Sequence, residues 1–443
     1  MKKRIGLTVL LAILLCLLLS GCFVKTVDEL YLLPRHSEEY NDLQSAIDAV
    51  MKDGTVYCAP VSGANQQTVQ LADLDGDEKD EAVVFLKTTG EKPLCAYIFD
   101  QQDGVYQNVA VIEGIGSAFA SAEYVQLDDQ PGMEIILGRQ LSDQVVQSMS
   151  VCSLREGRIV ELLNTNYSEY ITADLDSDGL RDVFALRFDA EQAQGVAELY
   201  RWREGQMERE PEVMLTNGVQ SIKRIIAGQL MQEIPAVFVA SVYDTDSIVT
   251  DVFAFSGGGF TNLTHADGEH TVPTLRSYFV YACDIDGDGL IELPELLQLP
   301  QSEDGGDRYS LIYWYNLDGK GQKTVKQTTY HCFSGGWYVT VPEQWREKLT
   351  ISRGEEVGGV RGYVFSEWKQ GGQPPEEIFT LYTFTGEDRN ELASADGRFL
   401  VSEKGDVSCS AKMGTSVLAK GMSEEDLKMM FNYIQIDWNS GET

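Results

Sequence analysis

Between residues 66 and 332 short apolar runs alternate with acidic or glycine-bearing turns, and the alternation itself recurs. Apolar runs at 69–71, 124–125, 170–171, 222–226 and 278–280 each lead into a polar loop. Runs at 82–85, 135–137, 183–186, 236–240 and 293–297 follow those loops directly. Short segments rich in β-branched and aromatic residues, bounded by turn formers, read as strands. Every loop is therefore expected at the tip of a β-hairpin. With loop position one at Asp73, Gln126, Asp174, Ala227 and Asp284, the intervals are 53, 48, 53 and 57 residues. A second turn glycine follows each (Gly104, Gly157, Gly205, Gly258 and Gly319), at offsets of 31, 31, 31, 31 and 35.

Two hairpins per unit make four antiparallel strands in about fifty residues, which is the content of one propeller blade. The expected fold is mainly β: a β-propeller of about five four-stranded blades over residues 55–332, with calcium-binding hairpin loops and a small C-terminal α+β domain at 333–443. In that tail, strand-like runs at 337–341, 379–384 and 398–402 precede a helix starting at Ser423, with Leu427, Met430, Phe431 and Ile434 on one face. A sixth blade near 333–386 is the alternative for part of it. At the other end Leu43, Ile47, Val50 and Met51 fall at helical spacing before Gly54, so a helix is expected over about 39–53.

Chemistry is concentrated in three of the five loops. The third carries Asp174, Asp176, Asp178 and Asp182 at positions one, three, five and nine, with Leu180 at position seven able to offer its carbonyl. The first repeats this with Asp73, Asp75, Asp77, Lys79 and Glu81, and the fifth with Asp284, Asp286, Asp288, Leu290 and Glu292. Hard cations such as Ca²⁺ take six to eight oxygens from carboxylates, carbonyls and water. Four carboxylates on so short a loop repel one another unless a cation compensates them. About three structural Ca²⁺ sites are expected. The second loop (Gln126, Asp128, Gln130, Glu134) and the fourth (Ala227, Gln229, Met231, Pro235) depart from the pattern and are expected to keep only the hairpin.

Asp-x-Asp-x-Asp-Gly-x-x-Asp loops between paired strands resemble the FG-GAP/VCBS-type repeats of integrin-α-like β-propellers. The resemblance implies Ca²⁺ at the blade edges and a propeller that serves as a binding platform. The fifth loop also satisfies a twelve-residue EF-hand expression, with Gly289 at six, Ile291 at eight and Glu295 at twelve. Its flanks argue against that, because 277–282 is aromatic and β-branched and Pro294 would disrupt an exiting helix.

The N-terminus sets the expected compartment. Lys2, Lys3 and Arg4 precede an apolar stretch at 5–19 that ends in Leu19-Ser20-Gly21-Cys22. This has the layout of a secretory signal, and its end resembles a bacterial lipobox. The resemblance implies cleavage after residue 21, lipidation of Cys22, and a tether with a short helix over 22–54. A bacterial cell-envelope protein, membrane-anchored on the extracytoplasmic face, is the expectation. With 69 acidic against 35 basic residues the formal charge is −34. Loss of the three N-terminal cations makes the remainder more acidic still, so no nucleic acid is expected as partner. Six cysteines remain beyond Cys22, at 58, 95, 152, 283, 332 and 409; disulfides and buried thiols are both open readings.

No catalytic signature stands out. His265, Asp267 and His270 read as an exposed loop, and there is no nucleophile elbow, zincin helix or phosphate loop. The expected function is a lipid-anchored calcium-binding scaffold for an unidentified extracellular protein or glycan. The alternative is an extracytoplasmic polysaccharide hydrolase or lyase using acidic residues in the propeller funnel.

Overall fold

The computed structural model describes residues 38–141, 147–265, 272–278, 280–300, 309–369 and 373–435. The signal segment, Cys22, Asp267 and His270 lie outside the described residues. Six antiparallel sheets follow one another along the chain, each of four or five strands.

The first sheet is built from Val69–Ala72, Glu81–Lys87, Leu94–Gln102 and Val105–Gly114, with the short strand Val56–Tyr57 added on Glu81–Lys87. The second contains Ala118–Val125, Glu134–Gln140, Gln147–Arg155 and Arg158–Tyr167. Glu169–Ala173, Asp182–Asp189, Gln194–Arg203 and Gln206–Arg209 form the third, with Val213–Met214 at its side. The fourth comprises Ser221–Leu230, Ile234–Asp244, Ser247–Ser256 and Gly259–Asn262. These positions match the two-hairpin units expected from the apolar runs.

Packing explains why the second strand of each unit is a near-continuous apolar run. In Glu81–Lys87, Val83 and Phe85 join Phe119, Ile135 and Leu137 of the second sheet in one core, while Val84 and Leu86 face helix Glu38–Val50. Alternate side chains leave opposite faces of a strand, and here both faces are covered. The helix supplies Leu43 and Ile47, one turn apart on its buried stripe. The same construction continues: Ile136 and Val151 pack with Val183 and Ala185, then Phe184 and Leu199 with Val237 and Phe253. Phe238 and Val252 meet Leu293 and Tyr315 of the fifth sheet. The second to fifth sheets are thus each sandwiched by their chain neighbours. Among the described residues no core cluster joins the sixth sheet to the first.

Two expectations are corrected here. Of the expected strand 278–280, the described residues Tyr278 and Val280 belong to no regular strand, and 279 lies outside the described residues. Arg276 is buried and donates to the carbonyls of Thr274 and Val280 and to the Thr250 hydroxyl, which folds the segment around its guanidinium. Among the described residues, an isolated bridge between Cys283 and Glu292 pairs the loop's two sides ahead of Leu293–Gln298. The expected boundary at 332/333 falls inside a sheet. The fifth sheet runs through Leu293–Gln298, Ser310–Leu317, Lys323–Cys332 and Trp337–Thr340, and takes Phe431–Tyr433 as its last strand.

The remaining tail forms the sixth sheet, from Leu349–Val357, Val360–Glu367, Glu376–Thr385, Phe399–Lys404 and Val407–Met413. It shares one core with the fifth, where Trp337 and Val339 pack with Phe365 and Phe379. Helix Glu424–Met430 is capped by Ser423, whose hydroxyl accepts from the Asp426 N–H while the Asp426 carboxylate accepts from the Ser423 N–H. Phe431, expected on that helix, instead begins the strand that closes the fifth sheet.

Candidate metal centres

Each acidic loop joins the first and second strands of its sheet, and all three fold alike. Positions four and six are left-handed in every case: Gly76 and Glu78, Ser177 and Gly179, Gly287 and Gly289. Two reversals of handedness within three residues curl the backbone so that positions one, three and nine converge. Carboxylate oxygens of Asp73, Asp75 and Glu81 lie within 4.8 Å of one another, as do those of Asp174, Asp176 and Asp182, and of Asp284, Asp286 and Glu292. Position nine is the buried member, with Glu81, Asp182 and Glu292 all at 2% exposure or less. Its carboxylate accepts the N–H of position two: Leu74 at 2.7 Å, Leu175 at 2.9 Å and Ile285 at 3.0 Å.

Nothing neutralises these buried acids from within the first loop. Burial pushes the carboxyls of Glu81, Asp182 and Glu292 each up to about 7, against the pull of the backbone N–H and with neighbouring aspartates adding to the rise. The second oxygen of Glu81 has no hydrogen-bond partner. A buried carboxylate with one unpaired oxygen, set beside other carboxylates, is the environment a hard cation repairs. The donor set is all oxygen, which suits Ca²⁺, Mg²⁺ or Mn²⁺ and not a thiolate- or imidazole-preferring metal.

In each loop the three mutually close carboxylates are those of positions one, three and nine. Position five stays outside each cluster. Asp77, Asp178 and Asp288 accept the N–H of position seven, from Lys79, Leu180 and Leu290, closing an Asx turn, just as Asp75, Asp176 and Asp286 accept the N–H of position five. Asp77 also pairs with the Lys79 ammonium at 2.7 Å and Asp288 with Lys326 at 2.8 Å. The fourth loop holds no acidic cluster; a tight turn, Met231–Glu233, with Gln232 and Glu233 in the left-handed region, links its strands.

Spacing alone did not reveal three further residues. Asp100, on the strand Leu94–Gln102, adds negative charge next to Asp75 and Glu81. At the equivalent offset in the third unit stands Arg201, whose guanidinium pairs with Asp176 at 2.5 Å and with Glu210. In the second unit Arg155 pairs with the fully buried Asp128, and Glu134 keeps its bond to the Leu127 N–H. A guanidinium thus supplies there the positive charge that the other three loops lack or share. The only sequence signal was the loss of acid at position one.

The loops also meet one another. The Met133 N–H donates to the Asp73 carbonyl at 2.9 Å, Arg181 to Gln126 at 3.1 Å and Ile291 to Gln229 at 2.9 Å. A Cβ on Gly76 would come within 2.3 Å of Pro131, so only glycine admits this approach of the second loop to the first.

Beyond the loops, the first strands of successive sheets are laced by side chains. Tyr124 donates to Gln70 at 2.7 Å and Thr172 to Glu123 at 2.6 Å. A cavity of about 690 Å³ opens where the first strands of the second and third sheets run side by side, and both Glu123 and Glu169 line it. The cysteines at 58, 95, 152, 283, 332 and 409 are all free thiols, five of them buried. No helix of the described residues is long and apolar enough to cross a membrane. The EF-hand alternative fails because strand Leu293–Gln298 stands where its second helix would be.

No protein-family model matches the chain, and no curated protein matches it. Among solved structures it is similar to the exotype rhamnogalacturonan lyase YesX, at 12% identity over 74% of this chain and 81% of that one, with a TM-score of 0.26. A likeness at that level carries no argument about function.

Proposed function

We propose that this is a lipid-anchored β-propeller repeat protein of the FG-GAP/VCBS type, held at the bacterial cell envelope through Cys22. In this reading it binds Ca²⁺ structurally and presents its body as a scaffold to an extracellular protein or glycan. Six antiparallel sheets packed in chain order, with the first strands of the first three laced side by side, support a propeller-like arrangement. The observation that carries the calcium reading is the threefold recurrence of a buried position-nine carboxylate beside two aspartates. The first cluster would hold Ca²⁺ most tightly, since Asp100 adds charge and the Glu81 oxygen is unpartnered. The third would hold it least tightly, because Arg201 competes for Asp176. Bound ions would tie the loop to the hairpin and leave the faces free for partners.

The test uses protein lacking residues 1–22. Its melting temperature rises by several degrees in about 5 mM Ca²⁺ relative to chelator, and Asp174→Ala with Asp176→Ala blunts the rise. An identical melt in both conditions refutes the calcium sites. Separately, Cys22→Ala in the full chain moves the protein from the membrane to the soluble fraction; unchanged membrane association refutes the anchor.

A second reading, an extracytoplasmic polysaccharide hydrolase or lyase, draws on Glu123 and Glu169 lining one cavity. Chain cleavage of a polysaccharide that is lost in Glu123→Gln would establish it over the scaffold reading.

A further inference from the structure

We propose that the cavity between the second and third sheets binds a short neutral oligosaccharide, an inference that rests on the reading of this protein as a binding scaffold. At about 690 Å³ it lies within the size range of small-ligand sites and is concave, unlike the broad, flatter patches of protein partners. Its walls come from separate segments: the strands Ala118–Val125 and Glu169–Ala173, Gln147 and Tyr167 from the second sheet's last hairpin, and Arg181 from the third acidic loop.

The chemistry of the walls selects the ligand class. Three tyrosines, Tyr124, Tyr167 and Tyr170, contribute ring surface together with hydroxyls, the amphipathic combination that suits a sugar with apolar C–H faces and polar edges. Tyr167 and Tyr170 meet edge to face at 5.2 Å, which fixes both rings. Glu123 and Glu169 are acceptors for sugar hydroxyls, and Arg181 is a donor. An anionic ligand would meet two carboxylates, and a small cation would meet the guanidinium. A neutral polyhydroxylated ligand uses both kinds of group.

The site is also held in place before any ligand arrives. Thr172 donates to Glu123 at 2.6 Å, Tyr167 to Gln147 at 2.7 Å, and Arg181 to the Thr172 carbonyl at 2.9 Å. Gly138 makes the room: a Cβ there would lie 2.3 Å from the Tyr167 hydroxyl and 2.6 Å from the Ser121 hydroxyl. Arg181 is the telling residue. In a chain of 69 acids and 35 bases it forms no ion pair among the described residues, and beyond its single bond to Thr172 its guanidinium donors are unspent at the rim of the cavity. Fixed side chains lower the ordering cost of binding.

The experiment is calorimetric titration of the protein lacking residues 1–22, in Ca²⁺, with maltotriose, cellotriose, laminaritriose, mannotriose and xylotriose, and with trigalacturonate as the anionic comparison. At least one neutral trisaccharide binds with Kd below about 1 mM, and Arg181→Ala and Glu123→Gln each weaken it at least about tenfold while the melting temperature holds. Absence of binding by all five, preference for trigalacturonate, or affinity untouched by both substitutions overturns the proposal. The calcium response of the melt, read on the same samples, separates the two ideas. Saccharide binding without a calcium response supports the cavity and sinks only the metal sites, and the converse sinks only the cavity.

Discussion

Replacing Glu81 by Gln separates the cost of the first metal loop from its benefit. Glu81 is wholly buried, accepts the Leu74 N–H through one oxygen and has no partner for the other. Burial, opposed by that N–H and reinforced by Asp75 and Asp100, raises its carboxyl from 4.5 to about 7. Taken in full, that rise corresponds to about 3 kcal/mol against the ionised form; water reaching the adjoining exposed Asp75 screens it, so about 1–3 kcal/mol is the working figure. Gln keeps the shape and the bond to Leu74 but removes the charge. In chelator at about pH 8 the variant is therefore more stable than the wild type by about 1–3 kcal/mol. In Ca²⁺ the variant's advantage shrinks. With dissociation constants of extracellular modules, about 0.1–1 mM, each site gains about 1–2 kcal/mol at about 5 mM Ca²⁺, and the variant forfeits the share of the first. Thermal and denaturant unfolding of both proteins, with Ca²⁺ and with chelator, reads that shrinkage directly. A variant less stable than the wild type in chelator, or one with an undiminished calcium response, refutes the reasoning.

Three further outcomes are expected. Arg155→Ala strands the buried Asp128 and costs about 2–4 kcal/mol, somewhat under the range for a fully buried pair because the guanidinium is partly exposed; adding Asp128→Asn recovers most of the loss in denaturant unfolding, and no recovery would rule out charge compensation in the second loop. Phe365→Ala removes a ring stacked at 4.5 Å on Phe379 and set edge-on to Tyr330 at 5.3 Å, costing about 3–5 kcal/mol. Because that core is shared, hydrogen exchange must quicken in Lys323–Cys332 of the fifth sheet as well as in the sixth; quickening confined to the sixth would mean two independent cores. His331 is buried, and desolvation lowers its imidazole from 6.5 to about 3. The unfolded chain takes up the proton first, so stability falls as pH drops from 6.5 towards 3, by about 2 kcal/mol at pH 5. His331→Phe flattens that part of the pH–stability profile, and parallel profiles would refute it.

How much was legible beforehand divides along a physical line. Hairpin tips, their spacing and the acid at position nine are local properties. Alternation of apolar residues and the turn chemistry of Asp and Gly act within a few residues, so the chain announces them at Asp73, Asp174 and Asp284 without reference to anything distant. Helix Glu38–Val50 and the Ser423 cap were readable for the same reason. The sixth sheet was scarcely visible, because its hairpins carry no acidic loop and its third and fourth neighbours in space, Glu376–Thr385 and Val407–Met413, are separated by a helix and the edge strand Phe399–Lys404.

Only the folded chain decided what stands opposite each loop. Periodicity reports which face a residue occupies, never which charge the next strand brings to it. Asp100, Arg155 and Arg201 hold similar places in three successive units and yet make the first cluster more acidic, pair with the buried Asp128 in the second and occupy Asp176 in the third. The convergence of positions one, three and nine depended on backbone handedness at positions four and six. The cavity beside Arg181 exists because two edge strands from different sheets lie side by side, and contacts between sheets leave no period in the amino-acid sequence.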